Sequence, residues 1–308
     1  MSDLKLFRIT DGSAAELPSS SMALEKHLQT LIEKNMETLF GVRFLASEYS
    51  TGARHGGRLD SLGIDENGSP VIFEYKRSRD ENVINQGLFY LDWLLDHRGE
   101  FELLVMKRLG KEASDGIDWS NPRLVCVARD FNRYDEHAVA QMNRSIELVR
   151  YRDYDGELLA LELLTAVSGT PVAESGPGDS PHTKRAAVTK DKTVSEYLDQ
   201  SSEQLQNLYA DLDAALTAFG DDVQKTARKF YFAYKRLKNF ACVEVHPSNA
   251  TLLVYVKVDP DTIELVAGFT RDVRTIGHFG TGDLEIRIRT STDLQNATDL
   301  LQRSYNAG

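Results

Sequence analysis

Residues 57–76 constrain the fold more tightly than any other stretch. Residues 57–64 alternate enough for a β-strand. Residues 65–69 suit a turn, with Gly68 free to take a positive φ. Residues 70–76 make the return strand, and Val71, Ile72 and Phe73 suit a buried sheet. Side chains alternate on a strand, so Glu74 and Lys76 share one face, and Asp60 on the neighbouring strand can reach it.

Two carboxylates and one ammonium then converge. Core packing does not ask for this, because buried charges are costly unless paired or metal-bound. Phosphodiester hydrolysis does. Hard oxygen ligands hold a divalent cation, and a lysine can steady the attacking water or the developing charge. The same residues also suit a solvated strand end.

Asp60 followed by Glu74-Tyr75-Lys76 at the end of an apolar strand resembles the PD-(D/E)XK nuclease signature. Gln86-Gly87-Leu88-Phe89-Tyr90 is similar to the Gln-x-x-x-Tyr motif of its RecB-like branch, and Gly57-Arg58-Leu59-Asp60 to that branch's Gly-x-x-Asp element. Over residues 20–165 the likeness is to the catalytic domain of NucS-type endonucleases. Leu59 stands where the family name has proline. The resemblance implies a restriction-endonuclease-like mixed sheet flanked by helices. It implies Mg²⁺ or Mn²⁺ held by Asp60, Glu74 and the carbonyl of Tyr75. Lys76 would position water, and Gln86 and Tyr90 would orient the lysine, the scissile phosphate or a base. It also implies an acidic residue on the first core helix, for which Glu25 is the match. Glu25 is equally a first-turn glutamate favoured by the helix dipole.

The net charge of −11 argues against indiscriminate nucleic-acid binding, so contact with DNA must come from local basic patches. No apolar run approaches the ~20 residues of a membrane span, and no apolar leader opens the chain. The expectation is a cytoplasmic protein without a membrane partner, with a homodimer as the commonest closed assembly. Cys126 and Cys242 lie in apolar strand-like runs and read as buried structural thiols.

The 308-residue length suggests two domains: 1–167, a Pro/Gly/Ser-rich flexible linker over 168–192, and 193–308. A short strand is expected between residues 4 and 9. Ser19, Ser20 and Ser21 are candidate caps for a helix over 22–40 that ends at Gly41. A strand over 42–50 follows. A loop over 51–57 then carries Arg54 and His55, with Arg54 and Arg58 able to touch a phosphate. Asp80 can cap a helix over 81–97 whose core stripe is Ile84, Leu88, Leu91 and Leu95, with Phe89 and Trp93 packing. Gln86 and Tyr90 share another face. Strands are expected over 101–107, 123–129 and 146–152, a helix over 132–143, and a strand or short helix over 157–164. Residues 110–122, with Trp119, read as a polar loop or lid. The whole is an α/β sandwich.

The second half reads as a smaller α+β domain. One or two helices are expected over 193–216. A basic, aromatic-rich helix is expected over 221–239, able to lie along a nucleic-acid backbone or to turn its aromatics inward. Strands follow over 240–246, 251–259, 263–269 and 284–290, then a helix over 293–304. Lys238-Asn239-Phe240-Ala241 and Gly277-His278-Phe279-Gly280-Thr281-Gly282-Asp283 resemble an uncharacterised domain often labelled a predicted transport protein. Without a membrane segment, transport is implausible. The glycine loop suits a small phosphorylated ligand or a tight turn. Three readings remain: a metal-dependent nuclease acting on DNA in repair or defence, a non-catalytic binding protein on a nuclease-like scaffold, and an enzyme for a small phosphorylated ligand. In the first, the second domain recognises substrate, dimerises or docks a partner.

Overall fold

The computed structural model describes residues 4–20, 22, 24–52, 56–77, 83–167 and 192–308. Ser21, Arg54, His55, Asp80 and residues 168–191 of the expected linker lie outside them. The chain divides into two compact units, Met1–Val172 and Ala173–Gly308.

The first unit opens with an antiparallel hairpin, β1 (Leu6–Thr10) and β2 (Ser13–Leu17). Helix α1 (Glu25–Phe40) buries Leu28, Ile32, Met36 and Phe40, four residues apart, and stops at Gly41, where φ is +62°. Its N-cap is Leu24, which has no capping hydrogen bond, so neither Ser19 nor Ser20 caps it. Then come β3 (Val42–Ser50), β4 (Arg58–Asp65), β5 (Pro70–Lys76), α2 (Val83–Asp96), α3 (Arg98–Leu109) and α4 (Lys111–Asp115). The unit closes with β6 (Arg123–Ala128), α5 (Arg133–Ala140), β7 (Ser145–Tyr154) and β8 (Leu158–Val167).

These strands form one mixed sheet in the order β3-β4-β5-β6-β7-β8. β5, β6 and β7 run parallel, and the outer pairs are antiparallel. Ile72 joins the core cluster built with Ile84 and Leu91 of α2, whereas Phe73 packs edge-on against Phe40 of α1 at 5.1 Å. Alternation therefore puts Glu74 on the α2 side of β5.

Residues 101–107, expected as a strand, lie within α3. Phe101 and Val105 are buried, Leu109 is partly buried, and Leu103 and Met106 are exposed, so the period is helical. Trp119 is no lid residue. It packs on Phe101 at 5.4 Å and donates from Nε1 to Glu102. Phe89, expected to pack, is exposed, while Trp93 is buried.

Arg123 staples three strands. Its guanidinium donates to both oxygens of Glu147 at 2.8 and 2.9 Å and to Asp65 at 2.8 Å, with all three residues buried. Removing the cation strands two buried carboxylates. Arg123→Met is expected to cost about 3–5 kcal/mol, measured by urea unfolding.

The second unit carries α6 (Val194–Asp199), α7 (Glu203–Thr217), β9 (Gln224–Ala227), β10 (Phe232–Lys235), β11 (Asn239–His246) and β12 (Thr251–Val256). It ends with β13 (Thr270–Asp272), β14 (Leu284–Ile288) and α8 (Ser291–Ala307). The sheet is antiparallel, ordered β13-β14-β12-β11-β10-β9, and α7 and α8 share its main apolar core.

The basic helix expected over 221–239 is instead the β9–β10 hairpin. Phe232 and Tyr234 enter the helix-facing core, and Tyr231 and Ala233 enter a second cluster, so the period is 2. Its cations are occupied. Lys225 pairs with Asp213 and lies over three aromatic rings, and Arg236 pairs with Asp222. Residues 263–269 form no strand. Leu265 and Val266 are exposed, and the edge strand is β13. In the glycine loop, the N–H of Phe279 donates to Glu244 and that of Thr281 to the Cys242 sulfur. Both cysteines are buried, as expected.

Candidate active site

The β4–β5 pairing reaches only as far as Ser61 opposite Phe73, and beyond it the two strands are joined by side chains. Asp60 Oδ2 accepts from the Tyr75 N–H at 2.9 Å. Glu74 Oε1 accepts from the Asp60 N–H at 3.3 Å. Glu25, first residue of α1, accepts from the Arg77 N–H at 3.2 Å and lies 3.5 Å from the Lys76 ammonium. Glu25, Asp60, Glu74 and Lys76 thus come together at the start of β4 and the end of β5. Tyr75 supplies its N–H and buries its ring.

Burial dominates the electrostatics. Glu74 is 0% exposed. Burial, with the charge of Asp60 adding to it, pushes the Glu74 carboxyl up to about 9. Burial also raises Asp60, to about 6, against the opposing pull of the Tyr75 N–H and of Lys76. Burial alone would lower Lys76, but the charges of Glu25, Asp60 and Glu74 outweigh it and hold the ammonium above its ordinary value.

Glu74 Oε2 is buried and has no hydrogen-bond partner among the described residues. A carboxylate so placed keeps a proton or takes a cation. Two hard-oxygen side chains at one point suit Mg²⁺ or Mn²⁺, ions bound through one or two carboxylates plus water and phosphate. Among the described residues no group of three or more His, Cys, Asp or Glu is arranged to hold a metal, so the fit is to this pair.

Gln86 and Tyr90 meet each other and the start of β4. Gln86 donates to the Tyr90 hydroxyl at 3.4 Å, and that hydroxyl accepts from the Arg58 N–H at 3.2 Å. The pair pins the start of β4, two residues before Asp60. Gly57 lies flat against the Tyr90 ring, where a Cβ would come within 2.6 Å of a ring carbon.

Sequence reasoning missed a polar layer behind Asp60. Gln29 is 3% exposed. Its amide donates to the Asp60 carbonyl at 2.7 Å, to Glu33 at 2.9 Å and to Ser47 at 3.2 Å. Ser61 donates to Glu33 at 2.7 Å. Glu48, at φ +51°, pairs with Lys26 at 2.9 Å and Arg58 at 3.4 Å. The available signal was Gln29 itself, a polar residue beside the buried stripe and one turn after Glu25.

The chain is therefore a mixed α/β unit with a partly buried two-carboxylate, one-lysine cluster, followed by an antiparallel α+β unit. Residues 194–308 match the family model for a domain of unknown function, DUF5655. An uncharacterised protein of Haemophilus influenzae is 26% identical over 307 residues, covering 98% of this chain and 99% of that one. Among solved structures, a repair endonuclease from Pyrococcus abyssi is similar at 18% identity, covering 44% of this chain and 50% of that one, with a TM-score of 0.29. An EndoMS–dsDNA complex is similar at 20% identity, covering 42% and 47%, with a TM-score of 0.25. The chain spans about half the length of these solved structures. Among the described residues no helix is long and apolar enough to cross a membrane.

Proposed function

We propose that the first unit is a metal-dependent nuclease that hydrolyses phosphodiester bonds of nucleic acid, with DNA as its substrate. The observation that carries this reading is the buried, unpartnered Glu74 Oε2 beside Asp60. Asp60, Glu74 and the carbonyl of Tyr75 would hold Mg²⁺ or Mn²⁺. Such a cation supplies Lewis acidity and a water of lowered pKa.

The chain's own groups supply the rest. Lys76 stays protonated among three carboxylates and donates to the attacking water or to the developing phosphoryl charge. Glu25 holds that ammonium at the strand end. Gln86 and Tyr90 fix the main chain of Arg58, whose exposed guanidinium can meet a flanking phosphate.

The test is incubation of the purified protein with single-stranded, double-stranded and branched DNA, and with RNA, in Mg²⁺ and in Mn²⁺. The expected result is cleavage of DNA that stops on chelation. Intact substrates throughout, with a folded protein, would favour the non-catalytic scaffold.

A further inference from the structure

The sheet register passes over Asp60, although its neighbours Leu59 and Ser61 are both paired. β3 and β4 pair Ser47 with Ser61 and Tyr49 with Leu59, and skip Glu48 and Asp60 between them. Glu48 is the β3 residue opposite Asp60. Its φ of +51° is left-handed, a conformation a glutamate adopts only under constraint. On the other side, pairing with β5 stops at Ser61 opposite Phe73.

Buried N–H and C=O groups must still be satisfied. At Asp60 both are satisfied by side chains. The N–H donates to Glu74 Oε1, and the carbonyl accepts from Gln29 Nε2 at 2.7 Å, the shortest of that amide's three bonds. Gln29 is itself locked. Lys26 donates to its Oε1 at 3.0 Å, and Glu33, bonded to Ser61, accepts from its amide.

We propose that Gln29 is a positioning residue of the cation site, fixing the Asp60 carboxylate through the Asp60 carbonyl in place of the missing strand ladder. The inference rests on the nuclease reading and adds a residue to it. Gln29 touches no reacting atom. It acts by holding the peptide from which the carboxylate projects. A rigid helix thereby sets the aim of a side chain on a locally unpaired strand. Groups that orient a metal ligand from behind typically govern 10- to 100-fold in affinity or rate.

The experiment compares wild type with Gln29→Glu, which keeps the shape and loses the donor, and Gln29→Leu, which loses all polarity. Four quantities are read: Mn²⁺ affinity by calorimetry, kcat and KM for DNA cleavage, and melting temperature. The expected result is a roughly 10- to 100-fold loss in Mn²⁺ affinity and in kcat with KM for DNA unchanged. Should Gln29→Leu fail to fold, Gln29→Glu decides. A lowered melting temperature with Mn²⁺ affinity and kcat retained would reduce Gln29 to a structural residue and overturn the proposal. Wild-type values in both variants would overturn it too. A wild-type protein that neither binds Mn²⁺ nor cuts would overturn the nuclease reading, and this inference with it.

Discussion

Asp60→Ala is expected to lower DNA cleavage by roughly 10³-fold while leaving the protein folded. The carboxylate is one of the two hard-oxygen side chains at the strand end, and its Oδ2 also holds the Tyr75 N–H that sets the β4–β5 spacing. Removing it also relieves Glu74 of a neighbouring negative charge, so folding does not suffer in proportion. Lys76→Met is expected to cost about 10²- to 10³-fold in rate for a different reason, loss of a donor to the developing charge. The two separate on Mn²⁺ binding, which Asp60→Ala loses and Lys76→Met keeps. Single-turnover cleavage, calorimetry and circular dichroism measure the three properties. Wild-type cleavage by either variant would remove its residue from the chemistry.

Glu74→Gln has the second large effect, and its sign is opposite for stability and for function. The unfolded chain titrates Glu74 near its ordinary 4.5, the folded protein at about 9. Between these values the folded state keeps a proton that the unfolded state has lost. Stability is therefore fully present below pH 4.5 and falls as pH rises toward 9. Asp60 adds a loss of the same sign between 3.8 and about 6. At pH 8, free of divalent cations, Glu74→Gln is expected to stabilise the protein by about 2–4 kcal/mol, a melting-temperature rise of about 5–10 °C. The wild-type melting temperature should fall between pH 5 and pH 9, and the variant's curve should be flatter. A wild-type curve that rises over that window, or a variant that melts at the wild-type temperature, would contradict the burial of Glu74 as a protonated acid.

The central hairpin was legible because its signal is local. An apolar strand, a turn with Gly68, and charges alternating at the strand end need no distant partner to be read. Gln86 and Tyr90 were legible as a pair on one helix face, but the Arg58 N–H that the Tyr90 hydroxyl meets was not, because it lies on another element. The Gln29 layer was hidden for the same reason. A single glutamine on a helix carries no mark of the carbonyl it will meet 31 residues away. The wrong elements failed on period. Phe101, Val105 and Leu109 read as a buried run until their spacing of four is separated from the exposed Leu103 and Met106. In the β9–β10 hairpin, aromatic residues are buried on both faces, which erases alternation in the sequence. The cations that made it look like a nucleic-acid helix are matched by Asp213, Asp222 and aromatic rings, partners no window of sequence displays.

The most direct measurement is Mn²⁺ titration calorimetry of the metal-free protein near pH 7.5, repeated in buffers of different ionisation enthalpy and with Glu74→Gln. A buried carboxyl that exchanges its proton for a cation gives saturable binding with proton release, so the observed heat changes with the buffer. Glu74→Gln should abolish both. Absence of binding in the wild type, or binding that Glu74→Gln leaves intact, would contradict a cation site at Asp60 and Glu74.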